Sequence, residues 1–333
     1  MSIPDLQSQA TPHPGRRQAL LLVLGLIAAA SLLFALVTGS VTLDWQALWR
    51  GEDTQQRLIL ELRLARALNA FTCGGLLALA GALLQVLLRN PLADPYILGV
   101  SGGASVGALL AILAGLGGVW MTGSAFAGAM LSIFLVFVLA HERRGSWTPT
   151  RLLLTGVVIA AGWGALISFI LVTSPDTHLR GMLFWLMGDL SQSGASLSGV
   201  VVLAAGLLLS LPIARDLNVL VRGDLRASAL GVPLQTLRLQ IYGLSALLTA
   251  TAVTFAGNVG FVGLIIPHFM RLLGAHDHRI LLPACVLAGG SLVIIADTLA
   301  RTLLAPQQLP VGIVTALIGV PVFLYLLHRN SAR

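Results

Sequence analysis

Long apolar segments divide the chain, and this feature limits the folds it can adopt more than any other. Ten apolar runs follow one another along the sequence. Most are roughly 20 residues long, the length that an α-helix needs to cross the hydrocarbon core of a bilayer, and the eighth is shorter. Only 10% of the 333 residues are charged, whereas soluble domains carry about 25%. The runs lie at about 19–38, 67–88, 96–116, 120–140, 152–173, 195–213, 239–256, 260–271, 280–300 and 309–327.

We therefore predict an all-α, polytopic membrane protein with about ten transmembrane helices, because lipid cannot pair the backbone polar groups of an open segment. A single transmembrane domain is expected over residues 19–327, between tails at 1–18 and 328–333. The stretch from Arg66 to Pro91 has a faint counterpart from Arg238 to Pro267. An offset of five helices would give the two copies opposite orientations, so the pattern favours an inverted-repeat bundle.

The distribution of arginine predicts the orientation. All 20 basic residues are arginines. With the N-terminus inside, fourteen fall in inner segments and six in outer ones, namely Arg50, Arg57, Arg63, Arg66, Arg180 and Arg301. Cytoplasmic loops collect positive charge, so both termini and the loop at 214–238 are predicted to be cytoplasmic. A P-loop ATPase needs a phosphate-binding lysine, so ATP hydrolysis would have to come from a partner.

The longest polar interruption runs from Ala214 to Arg238 and contains what reads as a short helix. Asp224 is placed to cap its start, since a carboxylate accepts hydrogen bonds from the first free amides. Gly231 can end it in a left-handed conformation, and Pro233 prevents its continuation. A compact helix in a basic cytoplasmic loop indicates a binding surface for a soluble partner. A solvated connector is the alternative.

Ionisable side chains are almost absent from the apolar segments, where only His268 and Asp297 occur, both near a helix end. Ion-coupled carriers usually keep a carboxylate or histidine near mid-membrane. A secondary transporter is therefore disfavoured, although a sodium site of carbonyls and hydroxyls remains open. An intramembrane serine protease is the second alternative, because Ser101 lies in a Gly-x-Ser-Gly sequence. A helix start rich in glycine and serine explains the same residues.

Three arginines stand out on the predicted outer side. Arg63 and Arg66 precede the second apolar run, and Arg301 lies four residues after Asp297. A local pair between Asp297 and Arg301 fits this spacing. A positive rim that receives an acidic partner fits it equally well.

Three stretches resemble the FecCD family of ABC permeases, which belong to type II importers of ferric siderophores, haem and vitamin B12. They are Arg63–Ala111, Gly260–Gly290 and Ala296–Leu327, and they include the motif residues Asn90, Pro91, Pro267 and His268. The resemblance implies a multi-pass permease of the bacterial inner membrane, in contact with lipid, that works as a homodimer or as one of two paired permeases. Two ABC ATPase subunits and a periplasmic substrate-binding protein would be its partners.

The resemblance also implies that this chain is not an enzyme and binds no cofactor, metal or nucleic acid, while the ATPase subunits use ATP and Mg. A ferric siderophore is the expected cargo, then cobalamin or haem. Arg180–Leu190 resembles a half-helix near the pore mouth. The binding protein would dock on Arg63, Arg66 and Arg301, although Ala65 replaces the proline of the family's RLPR sequence. The ATPase-coupling loop would include Asp224, Leu225, Arg226, Ala229, Leu230 and Gly231.

Overall fold

A computed structural model describes residues 14–39, 50, 54–141, 148–191 and 197–331. These residues form helices and connecting turns, with no strand among them. The α-helices are α1 (Pro14–Val37), α2 (Thr54–Leu87), α3 (Val100–Leu113), α4 (Val119–Ala140), α5 (Pro149–Thr173), α6 (Asp176–Leu186), α7 (Leu197–Ser210), α8 (Ala214–Leu220), α9 (Asp224–Ala229), α10 (Leu234–Ala256), α11 (Val262–Leu272), α12 (His278–Thr302) and α13 (Val311–Ser331). A short 3₁₀ helix, Pro95–Leu98, precedes α3.

Each of the ten predicted apolar runs corresponds to a helix, which confirms the polytopic all-α fold. Among the described residues, six helices are long and apolar enough to cross a membrane, and α7 and α8 form one bent pair with an angle of 64°. Three shorter apolar helices, α3, α11 and α13, account for the other runs. The number of crossings, the side of each terminus and the inverted repeat stay predictions. Of the predicted tails, residues 1–13 and 332–333 lie outside the described residues.

Several boundaries differ from the prediction because helices continue beyond their apolar parts. Helix α2 begins at Thr54, well before the apolar run at 67–88, and so includes Arg63 and Arg66. Helix α10 likewise begins at Leu234. The region after α5 contains α6, an amphipathic helix that was not among the ten predicted runs.

Helix α2 is the central element of the bundle, because it is buried along nearly its whole apolar length and packs against α10, α11 and α12. Its 34 residues give a rod of about 51 Å. The backbones of α2 and α11 meet at Gly81 and Gly263, where a Cβ on Gly81 would overlap the Gly263 carbonyl. Small residues allow such close approach between membrane helices.

The outer surface of the bundle is strongly apolar. Large exposed hydrophobic side chains cover α1 and α5, including Leu22, Leu26, Val158 and Phe169. Apolar surface of this extent is unfavourable in contact with water and is rare on soluble proteins. These faces suit contact with lipid or with a second membrane subunit.

Candidate functional site

The loop between α7 and α10 folds into two short helices, and its predicted helix is confirmed as α9. Gly231 ends it with φ of 79°, in the left-handed region, as predicted. The Gly231 N–H donates to the Ser228 carbonyl at 3.0 Å and the Val232 N–H to the Ala227 carbonyl at 3.0 Å. This turn satisfies the free carbonyls at the end of the helix. Pro233 then directly precedes α10.

The predicted capping role of Asp224 is wrong. Asp224 is the first residue of α9, Gly223 occupies the cap position, and no side chain there makes a capping hydrogen bond. The Asp224 carboxylate instead accepts from Arg89 at 3.0 Å and from Arg238 at 2.8 Å. Two guanidinium groups compete better for a carboxylate than neutral amides do. Asp224 therefore connects α9 to the turn after α2 and to Arg238, near the start of α10.

The rest of α9 stands away from the bundle. Leu225 is 89% exposed and Leu230 is 71% exposed, although both are large and apolar. Arg226, Ala229 and Gly231 are exposed as well, so Ala227 is the buried contact of this helix. An exposed apolar pair beside basic residues is the composition of a protein-binding surface.

The three outer arginines lie together at the opposite end of α2. Arg63 is 5% exposed and donates to the carbonyls of Leu36 at 2.9 Å and Val37 at 3.3 Å. Arg301, at 7% exposed, donates to the Ala35 carbonyl. Both arginines thus bind carbonyls at the C-terminal end of α1, where the helix dipole favours positive charge.

Asp297 is the acidic centre of this cluster. Arg66 binds both of its carboxylate oxygens, at 2.8 to 3.1 Å. Arg301, the partner expected from the spacing of four residues, lies at 4.0 Å. The bidentate pair with Arg66 is the stronger contact. We refer to Arg63, Arg66, Arg301 and Asp297 as the outer arginine cluster; its docking role stays a prediction.

An open cavity of about 1210 Å³ lies next to this cluster. Gln308 connects the two, since it lines the cavity and accepts a hydrogen bond from Arg66 at 3.0 Å. The walls come from the turn between α3 and α4, from α6, from the ends of α7 and α10, and from residues 306–308. They combine aromatic rings with polar groups, among them Phe184, Trp185, Phe255, His178, Arg180 and Asp189.

The family-motif residues lie near the end of α2 that is predicted to face the cytoplasm. Asn90 accepts a hydrogen bond from the Leu92 N–H at 2.9 Å and so shapes the turn that contains Pro91. Pro267 is buried inside α11, and His268 next to it is half-buried. Gln85, a residue that the sequence-based reasoning missed, contacts the backbone of both regions. A single glutamine in the apolar sequence LLQVLL was the available signal.

Comparison with known proteins identifies the family, because the FecCD transport family matches residues 26–329. The chain belongs to the FecCD transport family. It is 43% identical to the cobalamin import system permease protein BtuC of Halobacterium salinarum, over 84% of this chain and 76% of that protein. It is 39% identical to the vitamin B12 import system permease protein BtuC of Serratia proteamaculans, over 95% and 94%.

The structural comparison agrees with this assignment. A metal-chelate type ABC transporter in an inward-facing conformation has 32% sequence identity and a TM-score of 0.83, covering 94% of this chain and 99% of that one. PsaBC from Streptococcus pneumoniae, at 19% identity and a TM-score of 0.52, shows the fold alone.

Family membership sets the general activity. The chain is a multi-pass permease subunit of an ABC importer of metal chelates in the cytoplasmic membrane. It is not the catalytic subunit, since the ATPase of such importers is separate. Permeases of this type work as a pair of permeases together with ATPase subunits. The secondary transporter and the intramembrane protease are thereby excluded as its function.

Proposed function

We propose that the permease imports cobalamin. The observation that carries this proposal is the similarity to permeases from two organisms that are named for cobalamin or vitamin B12, at 43% and 39% identity. A ferric siderophore, the cargo expected first from the family resemblance, is not named in either of these two relatives. The mixed lining of the outer cavity suits a large ligand with both apolar and hydrogen-bonding groups.

We propose further that α9 is the contact with the ATPase subunits. It presents Leu225 and Leu230 to solvent, while Asp224 connects it to the turn after α2 and to α10. A push on α9 would therefore reach α10 directly and α2 through the turn that follows it. ATP and Mg would be bound by the ATPase, and the permease would convert its movement into alternating access.

The outer arginine cluster is the proposed docking point of a substrate-binding protein. Two of its guanidinium groups, those of Arg66 and Arg301, share one carboxylate, Asp297, so positive charge is in excess there. Arg66 is the most accessible of the three, and its contact with Gln308 brings it to the edge of the cavity. An acidic partner would be attracted here, and the attraction would weaken as salt increases.

Uptake by reconstituted vesicles tests the cargo. Vesicles that contain the permease with its ATPase and binding protein should accumulate labelled cobalamin when ATP is present inside. Ferric siderophore and haem serve as matched alternative cargoes. Accumulation of either one without cobalamin would show that the proposed cargo is wrong.

A separate experiment tests the coupling loop. The ATPase should copurify with the intact permease, and deletion of Asp224–Gly231 should abolish this copurification.

A further inference from the structure

Pro267 leaves an unpaired backbone carbonyl inside α11. A proline has no N–H and therefore cannot donate to the carbonyl four residues earlier, which here belongs to Gly263. Gly263 is buried at the point where α11 crosses Gly81 of α2. A buried carbonyl without a donor is costly, so a partner from another element is needed.

Gln85 of α2 supplies that partner. Its amide nitrogen lies 3.4 Å from the Gly263 carbonyl and 3.2 Å from the Leu264 carbonyl. The same nitrogen is 3.4 Å from the Ala93 carbonyl, in the turn after α2. The amide oxygen accepts from Arg271, one turn beyond Pro267. Gln85 thus binds α11 on both sides of the proline.

We propose that Gln85 is a positioning residue that fixes the proline bend of α11 to α2. A helix can change its angle at a proline because one hydrogen bond is already missing there. With the Gln85 amide in place, α11 cannot change this bend without breaking contacts to α2. Arg89, just beyond α2, binds Asp224 of α9, so the same helix connects the bend to the proposed contact with the ATPase.

This arrangement has a consequence for transport. Alternating access requires packed helices to move relative to one another as units. If Gln85 is lost, α11 can bend independently of α2, and movement of α9 no longer sets the position of α11. Transport per ATP hydrolysed should then fall while the ATPase still binds.

A double-mutant cycle separates this role from ordinary packing. Gln85→Leu keeps the volume but removes the amide, and it should speed hydrogen exchange of the amides in residues 264–271 about tenfold. Pro267→Ala restores a backbone N–H at position 267, which can donate to the Gly263 carbonyl. The double variant should return to within about threefold of the unmodified protein, because Arg271 is half-buried and can reach water.

Pro283→Ala is the matched control, since Pro283 also lies inside a helix, α12, and none of the hydrogen bonds described for Gln85 goes to that helix. Combined with Gln85→Leu it should restore nothing. The proposal is overturned if the Gln85→Leu, Pro267→Ala variant exchanges as fast as Gln85→Leu alone, or if Pro283→Ala restores exchange equally. If Gln85→Leu alone yields no folded protein, recovery of folded protein by Pro267→Ala supports the proposal, and failure to recover it contradicts the proposal.

A transport measurement follows the same variants. In vesicles with the ATPase and binding protein, cobalamin is the probe, and transport per ATP should fall about tenfold with Gln85→Leu and recover with Pro267→Ala. This readout rests on the proposed cargo. Hydrogen exchange of the full-length permease needs no cargo, so a wrong cargo and a wrong role for Gln85 give different results.

Discussion

Arginines occur at both ends of α2, but their surroundings differ. At the outer end, Arg63 and Arg66 are turned into the bundle and bind α1 and Asp297. At the other end, Arg89 and Arg238 bind Asp224 at a partly exposed site, next to the protruding Leu225. The first set of charges holds membrane helices together, whereas the second holds a short helix that is free to meet a partner.

The difference follows from access to water. A buried charge that loses its partner cannot recover solvation, so removing one member of such a pair costs several kcal/mol. A charge that is partly exposed is solvated when its partner is lost, and the pair contributes little to stability. Substitutions in the outer arginine cluster should therefore lower the stability of the permease, whereas substitutions around α9 should mainly affect its coupling to the ATPase.

Asp297→Ala should have the largest effect on stability. Arg66 and Arg301 would lose their shared carboxylate inside the bundle, and the free energy of unfolding should fall by about 3–5 kcal/mol. Thermal unfolding of the purified permease in detergent measures this loss. Asp176→Ala, at an exposed position at the start of α6, is the control, and an equal loss there would contradict the role of the cluster.

Leu225→Asp should act on assembly instead. A charge in place of an exposed leucine at the proposed interface should weaken ATPase binding by about 2 kcal/mol, or roughly 30-fold in Kd. Leu304→Asp, at the other end of the bundle and also exposed, should leave the affinity unchanged. Equal affinities for the two variants would show that α9 is a solvated connector.

Gly231→Val should affect coupling more than binding. A side chain at φ of 79° costs about 1–2 kcal/mol, although no neighbouring atom would be displaced. Uptake per ATP should fall about tenfold while the ATPase copurifies normally. Gly243→Val, which also has open space around it but a helical backbone, is the control. Normal uptake by Gly231→Val would show that the turn at Gly231 has no role in coupling ATP hydrolysis to transport.

Features that depend on neighbouring residues could be predicted from the sequence. Apolar length was sufficient to find the ten runs, and the chemistry of glycine and proline was sufficient for the turn at Gly231 and Pro233. The general function came from motifs that resemble a family, and the relatives confirm it.

Features that depend on distant residues could not be predicted in this way. Asp224 was expected to bind amides in its own helix, but one partner, Arg89, is 135 residues away in the chain. Asp297 was expected to pair with Arg301, whereas its main partner, Arg66, is 231 residues away. Spacing along the chain shows which local partners a carboxylate can reach. Tertiary packing then brings a distant arginine close to it, and that arginine binds the carboxylate more strongly than the local partner does.

Asp224→Asn should have the smallest effect and is the direct counterpart of Asp297→Ala. Asparagine keeps an acceptor for Arg89 and Arg238 but loses the charge, so the free energy of unfolding should change by less than about 1 kcal/mol. The salt dependence of ATPase binding should weaken, because part of the attachment of α9 is then no longer ionic. Thermal unfolding and ATPase affinity at low and high salt measure the two effects. A loss of stability as large as that of Asp297→Ala would mean that α9 is built into the bundle like the outer cluster, and the two ends of α2 would then do the same work.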